Sequence, residues 1–196
     1  MLSPSFLYGG FPLKELKNHF LLAEGSEPED IRNVSLPEGF ETIDLPGHFF
    51  GMIGVKTPDD IYFLGDCLFG ENIIDKYHVF FIYDVKEFFN TLERVEGLDG
   101  KLYIPSHAKA TCDIRPLVRK NRDKMIEMME KILSVCKENT IFEDILKRVF
   151  DEYNLFMDFN QYVLVGNTVR SYLSYLADEG RVGFSFEANH VYWKAL

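Results

Sequence analysis

The chain has 196 residues, a mass of 22.8 kDa, 46% hydrophobic residues, 27% charged residues and a net charge of −10. This is globular composition, which excludes a disordered tail, a collagen-like rod or a disulfide-scaffold miniprotein, and the acidic balance argues against broad phosphate-backbone binding. Three widely spaced cysteines (Cys67, Cys112, Cys136) make neither a disulfide framework nor a zinc ribbon, so a reducing compartment is expected.

The chain opens on an irregular stretch, Ser3 to Gly10. Pro12 suits a first helical position, and Leu13, Leu16, Phe20 and Leu21 recur at helical spacing up to Gly25-Ser26-Glu27-Pro28. No basic n-region precedes an apolar segment, and no apolar run reaches membrane-span length, so a cytoplasmic protein is expected. Phe40 to Leu45 reads as a strand that stops at Pro46-Gly47. Phe50 to Val55 and Ile61 to Leu64 read as two more, joined by the turn Thr57-Pro58-Asp59-Asp60, with Gly65-Asp66 ending the last.

Asp84 has the chemistry of a helix cap, and Val85, Phe88, Phe89, Leu92 and Val95 form one apolar stripe behind it. Lys101 to Ile104 is a short strand ending at Pro105-Ser106-His107. Pro116 opens a long helix with Leu117, Val118, Met125, Met128, Met129, Ile132 and Leu133 as its apolar positions. In the tail, Thr140 is expected to cap a helix through Phe150. A shorter helical stretch follows near Asn160 to Leu164, then a third helix from Asn167 to Asp178. Val182 to Phe186 and Val191 to Trp193 form a hairpin. Three helices and a hairpin read as a winged helix-turn-helix. The expected division is therefore 1–137 for the first unit and 138–196 for the winged helix.

Three segments share a design in which a strand ends and a potential metal ligand follows: Leu45-Pro46-Gly47-His48, Phe63-Leu64-Gly65-Asp66 and Ile104-Pro105-Ser106-His107. Imidazole and carboxylate are the usual nitrogen and oxygen ligands of a borderline metal such as zinc. A lone histidine in a turn is more often a solvated surface residue, and an aspartate after a strand is often a cap. His19, His78 and His190 fit that plainer reading.

The string Pro46-Gly47-His48-Phe49-Phe50-Gly51-Met52-Ile53-Gly54, followed by Gly65-Asp66-Cys67-Leu68-Phe69, resembles the second half of a metallo-β-lactamase-fold hydrolase. The resemblance implies that His48, Asp66 and His107 are metal ligands, that the metal is zinc and that the fold is α+β: half of an αββα sandwich followed by a winged helix. Ser106 stands where the superfamily more commonly has Gly. The superfamily's His-x-His-x-Asp-His signature is absent from this sequence. That signature would supply two ligands to each of two zinc ions, along with the water-activating Asp. On this reading His48 serves one ion, while Asp66 and His107 serve the other.

The expectation is the C-terminal part of a zinc-dependent hydrolase, inactive as an isolated chain, with a small-molecule substrate only in the complete enzyme. The alternative is a non-catalytic binding or assembly module that kept the sheet and the winged helix. Nucleic acid is disfavoured as a partner, because the expected recognition helix, Thr168 to Glu179, carries few basic residues. A homo-oligomer, or a separate polypeptide carrying the first half, is the expected partner. The preferred form is a C2 dimer that covers Phe49, Phe50, Ile53, Val55, Ile61, Phe63 and Leu64.

Overall fold

In a computed structural model, which describes residues 7–10, 12–17 and 29–196, the strand-forming segments assemble into one mixed sheet. Strands β1 (Glu41–Asp44), β2 (Ile53–Lys56), β3 (Ile61–Phe69) and β4 (Leu102–His107) lie in the order β1-β2-β3-β4. The first three are antiparallel neighbours, and β3 runs parallel to β4. A parallel pair needs a long crossover. Here it contains α1 (Glu71–Tyr77) and α2 (Val85–Glu96). Helix α1 is not foreseen from the sequence: it is short, and Gly70 at its start offers no capping side chain. Helix α2 is as expected, with the Asp84 carboxylate accepting from the Glu87 backbone N–H at 3.0 Å.

The strand pattern departs from expectation in two places. The run from Phe50 enters the sheet only at Ile53, and Phe50 itself is 59% exposed. Gly65-Asp66 does not end β3. The strand continues to Phe69 with register irregularities on either side of Gly65, whose φ is +57°. A residue in the left-handed region kinks the strand as a bulge does and shifts the side-chain alternation. Tyr62 and Leu64 are buried before that point, and Cys67, Leu68 and Phe69 are all buried after it.

The sheet's covered face packs against α2 and the long α3 (Arg115–Val135), which has a proline in its first turn. Tyr62, Leu64 and Tyr103 meet Phe88, Leu92, Val118 and Met125 there. The opposite face carries Val55, Phe63 and Ile104 in register with one another, and Phe63 is 47% exposed.

After α3 come β5 (Thr140–Ile141), α4 (Phe142–Glu152), α5 (Phe159–Asp178), β6 (Val182–Glu187) and β7 (His190–Ala195). The three strands form a second sheet in the order β5-β7-β6. Thr140 does not cap a helix: it pairs with Trp193 in this sheet, and its hydroxyl donates to the Glu138 carbonyl at 2.8 Å. The two expected helices after residue 159 are one, running unbroken through Gly166. Gly166 is buried and helical there, and a Cβ on it would meet Leu146 and Phe142 of α4 at ordinary contact distance. One hydrophobic cluster runs from Leu45 to Val182, across the expected division at 137/138. Of the N-terminal helix expected from Pro12, the described residues form a 3-10 turn at Lys14–Leu16. Phe20, Leu21 and His19 lie outside the described residues. Among the described residues, no helix is long and apolar enough to cross a membrane.

Candidate metal centre

His48 sits in the loop between β1 and β2, and that loop is pinned to α2. The Gly47 carbonyl accepts from the Tyr83 and Asp84 backbone N–H groups at 3.0 and 2.9 Å. The Thr91 hydroxyl donates to the Pro46 carbonyl at 2.6 Å. Gly47 has φ +123°, and a Cβ there would lie 2.4 Å from Phe88 Cα. Only glycine fits a backbone approach this close. Asp66 comes from the irregular part of β3, and His107 is the last residue of β4. Asp66 and His107 are therefore strand residues and do not sit in turns beyond strand ends. Parallel pairing carried as far as Phe69 opposite His107 keeps both in the sheet.

The structure brings the three side chains together. His48 Nε2 lies 3.7 Å from Asp66 Oδ2, and His107 Nε2 lies 3.5 Å from Asp66 Oδ1. Phe69 stands against both imidazoles, stacked on His107 at 5.4 Å and tilted against His48 at 5.7 Å. Phe69 is held in turn by Asn121 of α3. The Asn121 carbonyl accepts from Phe69 N–H at 3.0 Å, and its amide donates to the Phe69 carbonyl at 2.9 Å. The sequence patterns do not mark Asn121 or Phe69 as site residues. Asn121 is a polar residue spaced between the apolar positions Leu117, Val118 and Met125 of a buried helix face, which is its mark in the sequence.

The tautomer of His48 follows from its surroundings. Its Nδ1 is 2.9 Å from the Phe81 carbonyl, which can only accept, so Nδ1 carries the hydrogen. Burial holds the imidazole below its ordinary pKa. The Asp66 charge and the Phe81 carbonyl oppose that shift, and His107 adds to it. In the neutral ring the Nε2 lone pair then faces a carboxylate oxygen. Two acceptors this close are stabilised by a cation between them. Two donors bound to one tetrahedral zinc at about 2.1 Å stand about 3.4 Å apart, so the observed separations suit a shared ion.

The fit is to half a centre. The two histidines face different oxygens of Asp66. Among the described residues, no group of three or more His, Cys, Asp or Glu is arranged to hold a metal ion. His78 and His190 lie elsewhere. His78 stacks on Tyr153 at 5.0 Å, and His190 Nδ1 meets the Ala188 carbonyl at 3.0 Å in the β6–β7 turn.

No protein-family model and no curated protein matches the chain. Solved structures do. A metallo-beta-lactamase family protein from Thermus thermophilus superposes with a TM-score of 0.61 at 15% identity, over 98% of this chain and 68% of that one. A beta-lactamase domain protein from Burkholderia ambifaria superposes with a TM-score of 0.67 at 14% identity, over 83% of this chain and 49% of that one. At these identities the likeness is one of fold. The chain carries a metallo-β-lactamase-like fold, over two thirds of the length of one of these structures and half that of the other.

Proposed function

We propose that this chain is the part of a zinc-dependent metallo-β-lactamase-type hydrolase that contributes His48, Asp66 and His107, and that it is not hydrolytic alone. The observation that carries this reading is the Asp66 carboxylate, with an imidazole Nε2 facing each of its oxygens. Zinc bound there would supply a hydroxide at neutral pH and polarise the scissile bond. The residues of this chain have positioning roles. The Phe81 carbonyl fixes the His48 tautomer with Nε2 free, and Gly47 seats the loop that carries it. Phe69, locked by Asn121, sets both rings against the carboxylate.

A catalytic zinc usually has three protein ligands, and each oxygen of Asp66 faces only one imidazole here. The remaining ligands are expected from a segment bearing His-x-His-x-Asp-His. The half-exposed face around Ile53, Val55, Ile61, Phe63 and Ile104 is where a second sheet would pack. The order of β5, α4, α5 and the β6–β7 hairpin after α3 supports reading residues 138–196 as a winged-helix appendage.

Calorimetric zinc titration of the wild type and Asp66→Ala tests the metal role. Weak binding that is lost in the variant is expected, together with no turnover of ester, lactam or phosphodiester substrates. Indistinguishable titrations would remove the metal role. Stoichiometric zinc that survives dialysis, together with turnover, would overturn the claim that the site is incomplete.

A further inference from the structure

The β6 strand reads Val-Gly-Phe-Ser-Phe-Glu and, among the described residues, is the last strand of its sheet, so one of its edges faces away from β7. Edge strands are normally blunted by lysine, proline or a covering element, because a free row of N–H and C=O groups invites another strand. β6 contains no lysine or proline, and its one charge is Glu187 at its end. The four residues from Phe184 to Glu187 are exposed. Phe184 is 59% and Phe186 75% exposed, on one face of the hairpin with Trp193 and Val191 as their cross-strand neighbours. The Phe184 ring meets Phe186 at 5.9 Å and Trp193 at 5.8 Å, and Trp193 continues the row into the core.

We propose that β6 pairs with β6 of a second copy of this chain across a two-fold axis at Phe184, joining two three-stranded sheets into one of six strands. The sequence is self-complementary in that register. Antiparallel pairing centred on Phe184 sets Phe184 opposite itself, Val182 opposite Phe186 and Gly183 opposite Ser185. It also sets Arg181 opposite Glu187, so each end of the paired strands carries a cation against an anion. Arg181 is 43% exposed while bonded to Glu130 at 2.9 Å, which holds its guanidinium at the start of the strand. A shift by one residue would lose that charge match and move the phenylalanines off the shared face. Stable dimers bury about 1,200–2,000 Å² in total. One strand edge with a few aromatic side chains offers less, so the dimer forms and dissociates with concentration.

The occupant is a second copy, because the match is of the strand to itself. This surface is separate from the candidate metal centre and from the open face of the first sheet, so the proposal stands or falls independently of the hydrolase reading.

Sedimentation velocity from low micromolar to several hundred micromolar is the test. The mean mass should rise from 22.8 kDa toward twice that value. Phe184→Lys and Phe186→Lys, both at exposed sites, should stay monomeric with unchanged circular dichroism. Residues directly opposed in antiparallel strands have Cα atoms about 4.5–5.5 Å apart, within disulfide reach. In a Cys112→Ser background, Phe184→Cys should therefore crosslink to its own copy under mild oxidation, while Ser185→Cys, which stands opposite Gly183 and so about 7–8 Å from its own copy, should not. A chain that stays monomeric throughout overturns the proposal. So does a dimer indifferent to Phe184→Lys, which would assign the contact to another surface such as the open sheet face.

Discussion

Replacing Asn121 by alanine probes how the candidate centre is held. Asn121 is fully buried, and its side chain satisfies both the N–H and the carbonyl of Phe69 at 3.0 and 2.9 Å. A third bond, to the Leu117 carbonyl, lies within α3, where the carbonyl also has its helical partner. Truncation therefore orphans two buried backbone groups. Each unsatisfied buried polar group costs about 1–3 kcal/mol, so the loss should be about 2–6 kcal/mol, centred near 4. With a urea m-value of about 2–3 kcal/mol/M for a chain of this size, the midpoint should fall by about 1.3–2 M at unchanged m. The assay is urea denaturation followed by far-UV circular dichroism. Phe69 also backs both imidazoles, so zinc affinity should fall with stability. A midpoint shift below about 0.3 M would refute the reasoning, because it would mean that water or a relaxed backbone replaces the amide at little cost.

Gly47→Ala should destabilise the fold by about 3 kcal/mol or more and weaken zinc binding, because the new methyl would lie 2.4 Å from Phe88 Cα on a backbone at positive φ. Thermal melting alongside calorimetry reads both, and a variant as stable as the wild type would contradict the close approach. The thiols should separate by burial. Burial pushes Cys67 up to about 12 and Cys136 up to about 11, whereas Cys112 is exposed. At mildly alkaline pH a disulfide reagent should titrate Cys112 alone in the folded chain and all three thiols in guanidinium.

The site was legible because its residues sit in short strings where backbone chemistry and ligand chemistry coincide. Pro46-Gly47-His48 is a strand stop followed by a residue that must pass close to a helix, and Gly65-Asp66 is a strand kink beside a carboxylate. Local rules also placed the Asp84 cap and the proline-led start of α3, since a cap and its partner N–H lie within one turn. Other features depended on contacts between distant segments. Gly166 has the local marks of a helix break, yet the helix continues through it, with Gly166 buried against α4. Thr140 has the local marks of a cap, yet a strand 53 residues later claims its backbone. Asn121 joins Phe69 across 52 residues. The residue types of His48, Asp66 and His107 and the Pro46-Gly47 stop before His48 are properties of the sequence itself. The pairing of each imidazole with a different oxygen of Asp66, and the exposure of the β6 edge, arise only when the sheets close, because both depend on which strand lies beside which.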